Sequence, residues 1–213
     1  VNEGARATSK DSPQEAFWQG TFGYEYSSRN QGQQLVQSNF RFFRKSLRKA
    51  TGIETCIEFG ANIGLNLQAL QLLNPAWKFH GVEINEFAAG QLANLIGIES
   101  VFATSIANFD VRRTWDLVLI KGVLIHIAPE QLNEVYDRLF AATGRYLLLA
   151  EYYNPTPVSI PYRGYQDRLF KRDFAGELLD RFSELNLLDY GFAYHRDPVA
   201  PQDDLNWFLL QKR

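Results

Sequence analysis

From residue 53 onward the chain alternates short, continuous apolar runs with stretches whose apolar residues recur every three or four positions. The runs fall at 54–59, 78–84, 100–103, 116–121 and 145–152, and read as strands. The periodic stretches at 64–73, 86–96 and 129–142 read as helices. This alternation is the pattern of βα units wound around a parallel sheet, whose strands are apolar along their length because both faces are covered. Upstream, Ser12-Pro13-Gln14-Glu15 forms a capping box with proline at the first helical position, and predicts a short helix. Leu35, Val36, Phe40, Phe43, Leu47 and Ala50 predict a second helix over 33–50, ended by Gly52. After 152 the rhythm breaks: Pro155, Pro157, Pro161 and Gly164 predict an irregular insertion over 154–164, followed by a helix over 173–185. Two last runs, 187–195 and 205–211, flank a turn carrying Asp197-Pro198 and Pro201-Gln202-Asp203, and predict an antiparallel pair.

Composition narrows the picture only by exclusion. The 213 residues fit one domain with added helices. Lysine and arginine number 22 against 24 acidic residues, so no general field steers the chain onto a polyanion, and nucleic acid is not expected as a partner. No apolar run reaches the roughly 18 residues of a membrane span, and Val1-Asn2-Glu3 does not open a charged-then-apolar signal, so a cytoplasmic protein without a membrane partner is expected. Cys56, the one cysteine, sits in a strand run and is expected to be a buried thiol. No ligand spacing for a metal is visible, and none is expected.

The sharpest chemical signal lies where the first strand turns into its helix, at Ile57-Glu58-Phe59-Gly60-Ala61-Asn62-Ile63-Gly64. Gly60 permits a tight turn and Gly64 close helix packing, while the amides of Ala61 and its neighbours face a bound group. Glu83 closes the second strand beside Ile84, where a carboxylate can take both hydroxyls of a ribose. Asn62 stands where dinucleotide sites carry a second glycine, and its side chain crowds a pyrophosphate. Glu58 suits a cationic amino group better than a phosphate. Together these favour S-adenosylmethionine, converted to S-adenosylhomocysteine, over a nicotinamide dinucleotide. The alternatives are a nicotinamide-dependent oxidoreductase and a non-catalytic cofactor-binding subunit of a glycan-assembly complex.

Here the sequence resembles the class I S-adenosylmethionine-dependent methyltransferases, whose first motif ends a strand in acid-x-Gly-x-x-x-Gly and whose second ends in an acid. Ser105-Ile106 falls where such enzymes contact adenine, and Lys121-Gly122 belongs to their fourth-strand motif. The chain is also similar to a narrower family, the methylases associated with pseudaminic acid biosynthesis. The similarity runs through Glu15-Ala16-Phe17-Trp18, Arg29-Asn30, Lys121-Gly122-Val123-Leu124-Ile125-His126, Ala150-Glu151-Tyr152-Tyr153-Asn154-Pro155 and Tyr162-Arg163-Gly164. The resemblance implies a Rossmann-like fold: a seven-stranded, mostly parallel sheet with an antiparallel C-terminal strand and an N-terminal helical addition. It divides the chain into a helical lid (1–52), a cofactor-binding core (53–152), an acceptor-recognition insertion (153–185) and a terminal β-hairpin (186–213). The implied acceptor is a small molecule, an acidic sugar such as a nonulosonic acid.

Methyl transfer from a sulfonium needs alignment and, for a hydroxyl acceptor, a proton sink. His126 after the fourth strand and His195 on the terminal pair compete as general base, with Glu151 a further catalytic candidate, and either histidine has an ordinary structural reading. Tyr152, Tyr153, Tyr162, Arg163, Arg168 and Arg172 are expected to bind the acceptor, the arginines as carboxylate forks, against the alternative of a solvated face with ordinary ion pairs. Trp18 is expected to cover the cofactor, and Arg29 with Asn30 to meet its carboxylate.

Overall fold

The computed structural model describes residues 12–29 and 32–213. Three helices come first: α1 (Pro13–Gln19), α2 (Thr21–Arg29) and α3 (Gln33–Ser46). The capping box starts α1 as its residues require. The Glu15 N–H donates to Ser12 Oγ at 3.2 Å, and the Ser12 N–H donates back to Glu15 Oε2 at 2.7 Å. Replacing Ser12 by alanine is expected to remove about 1 kcal/mol from this helix. The measurable result is faster hydrogen exchange over 13–19, with the global Tm little changed.

The strands then follow in βα order: β1 (Thr55–Phe59), α4 (Leu65–Leu73), β2 (Lys78–Glu83), α5 (Glu86–Ile96), β3 (Val101–Ala103), β4 (Trp115–Lys121), α6 (Leu132–Ala142) and β5 (Thr143–Glu151). A hairpin of β6 (Val158–Tyr162) and β7 (Tyr165–Lys171), helix α7 (Phe174–Arg181), and the pair β8 (Leu185–Ala193) and β9 (Leu205–Lys212) complete the chain. Seven strands form one sheet in the order β3-β2-β1-β4-β5-β9-β8. β1 to β5 run parallel, and β9 runs antiparallel to both neighbours, β5 and β8. The strand order reverses at β1 and β4, and ligands in such sheets lie in the crevice beyond the carboxyl ends at that point.

Side-chain alternation explains why the strand runs are apolar throughout. Ile57, Phe59, Val118, Ile120, Leu147 and Leu149 face one layer, closed by Leu139 of α6 and Leu178 of α7. Cys56, Leu117, Leu119, Leu148 and Trp207 face the other, closed by Phe43 of α3 and Leu67 and Leu70 of α4. Cys56 is fully buried, and its thiol is pushed up by burial and by Glu58. No described helix is long and apolar enough to cross a membrane.

Three details depart from the sequence reading. The second expected helix ends at Ser46, and Gly52 sits in the loop before β1. The stretch after Gly20 is helical, as α2. The segment read as irregular over 154–164 contains β6, whose partner is β7 through the register Val158↔Lys171 to Tyr162↔Tyr165. Arg163 and Gly164 form the two-residue connection with φ 49° and 86°, the left-handed pair that a tight hairpin turn requires.

Candidate functional site

The carboxyl edge of β1, β2 and β4 opens on a cavity of about 460 Å³, within the range of roughly 300–1,000 Å³ that holds small ligands. Its floor is the turn after β1. Gly60 has φ +75°, and a Cβ there would stand 2.6 Å from a Val123 methyl, so glycine is required twice over, by conformation and by space. The loop amides do not face a bound group as expected: the Gly60 and Ala61 N–H groups both donate to the Val82 carbonyl, at 2.8 and 3.0 Å, and pin this turn to β2. Gly64 packs against Leu92 and Leu95 of α5.

Glu83 forms the next wall. Its Oε2 accepts the Asn62 N–H and its Oε1 the Asn85 N–H, each at 2.7 Å. A carboxylate has about four lone-pair directions, so both oxygens keep capacity for a ligand's hydroxyls. Burial pushes the Glu83 carboxyl up, and the backbone N–H groups of Asn85, Asn62 and Ile84 pull it back. Beyond Glu83 the wall continues through Ile84, Thr104, Ser105, Ile106 and Ala107.

Glu58 is fully buried and does not itself line the cavity; Asn66 stands in the wall beside it. Asn66 Nδ2 donates to Glu58 Oε1 at 2.5 Å. Among the described residues, Glu58 Oε2 and Asn66 Oδ1 have no hydrogen-bond partner. Asn66 Oδ1 thus offers an acceptor at the wall, and the Glu58 carboxyl behind it can ionise when a cation approaches. Burial pushes the Glu58 carboxyl up to about 8, against Asn66 and the Lys121 charge.

Helices α1, α2 and α3 contribute to the cavity wall. Gln14, Glu15, Trp18, Tyr26, Leu35 and Asn39 reach the cavity. Asn85 fastens α1: its side-chain N–H2 donates to the Trp18 and Gln19 carbonyls at 3.0 and 3.2 Å, while its Oδ1 caps α5 by accepting the Ala88 N–H at 3.1 Å. Gln14 Nε2 donates to the Asp167 carbonyl of β7 at 3.2 Å. Arg29 is exposed and lies outside the cavity wall, and Asn30 lies outside the described residues.

The two candidate bases differ in setting. His126 is held by its Nδ1, 2.7 Å from the Arg168 carbonyl, and its ring lies between Trp18 and Tyr162, with centroids 4.8 and 5.0 Å away. Burial pushes this imidazole down to about 4. Between pH 6.5 and 4 the unfolded chain therefore takes up a proton that the folded chain refuses, and stability falls as pH drops through that window. His126→Gln is expected to flatten this part of the pH profile of the denaturant midpoint. His195, half exposed, has Nδ1 2.9 Å from both oxygens of Asp204, whose carboxyl is held below the usual range by the His195 backbone N–H and ring.

Of the remaining candidates, all but Lys121 and Gly122 lie away from the cavity wall. Glu151 is buried beneath the turn after β4, where its Oε1 accepts the Val123 and Leu124 N–H groups at 3.0 Å each, and burial pushes it up to about 7. It anchors that turn and does not reach the cavity. Arg172 is paired with Glu177 at 2.6 Å, and Arg168 lies over the Phe17 ring. Arg163 is exposed at the hairpin tip, and Tyr153 on the surface against Phe208. Tyr162 packs between Phe22 and His126, and Tyr152 lies under Lys171. None of these six residues of 152–172 lines the cavity. Lys121 and Gly122 do, and Lys121 Nζ, 6.0 Å from the Phe42 ring centre, has no ion-pair partner among the described residues. Burial pushes the Lys121 ammonium down, opposed by Glu58, Asp203 and Glu151.

Sequence reading missed Gln14, Glu15, Asn39, Asn66, Gln131, Gln202 and Asp203 as wall residues. Asn66 alone had a signal, since it follows the glycine turn by two residues. No group of three or more potential metal ligands occurs among the described residues.

No family model matches the chain, and no curated protein matches it. Solved structures do. The 1,6-didemethyltoxoflavin-N1-methyltransferase of Burkholderia thailandensis, with bound 1,6-didemethyltoxoflavin and S-adenosylhomocysteine, superposes with a TM-score of 0.70 at 15% identity, over 97% of this chain and 93% of that one. An S-adenosylmethionine-dependent methyltransferase from Leishmania major gives 0.67 at 14% identity, over 94% and 87%. One from Clostridium acetobutylicum gives 0.63 at 12%, over 90% and 97%. The chain thus has the Rossmann-like fold of class I methyltransferases, a mostly parallel seven-stranded sheet with one antiparallel strand near its C-terminal edge.

Proposed function

We propose that this chain is a cytoplasmic S-adenosylmethionine-dependent methyltransferase acting on a small-molecule acceptor, an acidic sugar of the nonulosonic (pseudaminic) type or a related metabolite. The observation that carries the cofactor reading is one cavity that joins three fitting walls. Glu83 keeps lone pairs for a ribose diol, the segment Thr104 to Ala107 offers Ser105 and Ile106 to a base, and the unpartnered Asn66 Oδ1 and Glu58 Oε2 favour a cationic amine. Bound there, S-adenosylmethionine supplies a methyl group on a positively charged sulfur.

The chain's own residues would do the rest. Gly60, Ala61, Asn62 and Gly64 shape the turn, Ile84 extends the wall from Glu83, and Lys121 and Gly122 border the acceptor side. Trp18 closes the cavity from α1 and excludes water. Asn62 has φ 48° and accepts the Ile63 N–H on its own Oδ1 at 2.7 Å, so a held side chain stands where dinucleotide sites carry their second glycine, which weighs against a nicotinamide cofactor. The acidic-sugar acceptor rests on the sequence blocks shared with the pseudaminic acid-associated methylases. Lys121 is the cation in the cavity wall that fits its carboxylate.

Calorimetry tests the first half: S-adenosylhomocysteine is expected to bind the folded chain and NAD is not, and the reverse order would refute the cofactor reading. Transfer of labelled methyl to free and nucleotide-activated nonulosonic acids, set beside neutral sugars and phenols, tests the second. Labelling of the neutral acceptors alone would remove the acidic-sugar reading and leave the methyltransferase.

A further inference from the structure

The cavity does not end at the cofactor walls. Past Lys121 it continues between α3 and the connection from β8 to β9, along Asn39, His195, Gln202 and Asp203. We propose that this compartment seats the methyl acceptor, presented as a hydroxyl on a polar small molecule, and that His195, oriented by Asp204, takes the hydroxyl proton. The proposal rests on the cofactor reading above.

Topology places the compartment correctly. Glu83 and Ser105 stand beyond β2 and β3, on one side of the switch point, so a nucleoside there leaves the β4, β5 and β9 side for the second substrate. The connection from β8 to β9 leaves from the same carboxyl edge, because β8 runs parallel to β5. The hairpin β6–β7 leaves that edge too, yet its Tyr162, Arg163 and Arg168 lie outside the cavity wall, with His126, Trp18 and Tyr162 packed as a plug in front of it.

The compartment is also built to hold its shape. Gln202 is buried, and its Nε2 donates to Ser38 Oγ at 2.9 Å and to Asn39 Oδ1 at 3.1 Å; Ser38 Oγ in turn donates to the Pro201 carbonyl at 2.5 Å. These bonds bind the connection to α3. They leave the Asn39 N–H2 and His195 Nε2 without a protein partner among the described residues. A wall of amides, an imidazole, a carboxylate and an ammonium suits a ligand rich in hydroxyls rather than a flat aromatic one.

The chemistry assigned to His195 follows from its hydrogen bonds. Asp204 meets Nδ1 at 2.9 Å and also accepts the His195 backbone N–H at 3.0 Å. A carboxylate at Nδ1 fixes the proton on that nitrogen and leaves Nε2 as the acceptor. In the transfer, the acceptor oxygen forms a bond to the methyl carbon, the carbon–sulfur bond breaks with its pair left on sulfur, and the hydroxyl proton passes to Nε2. Half-exposed, His195 can return that proton to water. Asp204 is a positioning residue. His126 is buried, with its imidazole pushed down to about 4 and its Nδ1 held by the Arg168 carbonyl, a setting unsuited to taking up a proton.

Two measurements on the full chain test this without a known acceptor. In the first, affinity for S-adenosylhomocysteine is established, and a cofactor analogue carrying a diazirine-bearing alkyl arm in place of the methyl is then irradiated and the labelled peptides mapped. Labelling at 33–39 or 194–204, at least ten-fold above that at 158–171, is expected. Label concentrated at 158–171 overturns the location while leaving the cofactor reading intact. Failure of S-adenosylhomocysteine to bind overturns both. In the second, nitrogen NMR of the imidazoles at pH 8 is expected to find His195 protonated at Nδ1 only, with Asp204→Asn moving the proton toward Nε2. A His195 already protonated at Nε2 overturns its role as base.

Discussion

Glu83→Gln is expected to lower affinity for S-adenosylhomocysteine about 10- to 100-fold, the equivalent of one hydrogen bond to a charged group at roughly 1.5–3 kcal/mol. Two effects add. One amide N–H2 replaces an oxygen that now accepts either the Asn62 or the Asn85 N–H, so donor faces donor at one end of the carboxyl. The ribose diol also loses an acceptor. Calorimetry reads the affinity and circular dichroism the fold. An unchanged affinity would mean that the ligand does not reach Glu83.

Glu58→Gln should act in the opposite direction on stability. Burial holds the Glu58 carboxyl near 8, against an ordinary value of 4.5, so between these values the folded chain keeps a proton that the unfolded chain releases. Stability is then full below pH 4.5 and is lost as pH rises through 8. At pH 7.5 the separation from 4.5 is about three units, or about 4 kcal/mol at roughly 1.4 kcal/mol per unit. Glutamine keeps an oxygen for Asn66 Nδ2 and carries no such cost. The variant is expected to melt higher at pH 7.5, with the gap closing toward pH 4.5, and to bind S-adenosylhomocysteine more weakly because glutamine cannot give up a proton to face its ammonium as a carboxylate. A gap that does not narrow in acid would refute the buried, protonated state. The pair of outcomes would mark Glu58 as a site where stability is given up for binding.

What could be read from the sequence follows the range over which each signal acts. The strands β1, β2, β4 and β5 were legible because a strand covered on both faces is apolar along most of its length, and α1 because Ser12 and Glu15 satisfy each other's backbone within one turn. α2 was not legible. Its buried residues are Gly23 and Ser27, so helical periodicity is carried by small residues rather than apolar ones. The hairpin β6–β7 was hidden by Pro155, Pro157 and Pro161, which read as a break, although Pro161 is exposed within β6.

The cavity divides in the same way. Gly60, Glu83, Ser105 and Lys121 sit at strand ends, where position along the chain fixes position in the crevice. Asn39 and Gln202 lie 163 residues apart and meet only because α3 crosses the sheet above β9. Local patterns carry no trace of such a meeting. The arginines of 163–172 show the converse: a cluster of donors in sequence, which folding spreads over a hairpin tip, an aromatic ring and an ion pair outside the cavity wall.

Asn85 has a kinetic consequence. Through its backbone it holds Glu83, through its oxygen it starts α5, and through its amide it clasps the end of α1. The clasp and the wall proposed for the ribose therefore share one residue, and spent nucleoside is expected to dwell for as long as that clasp holds. Asn85→Asp, which keeps the cap and removes the N–H2, is expected to shorten the dwell time in stopped-flow chase experiments; an unaltered release rate would put the exit elsewhere.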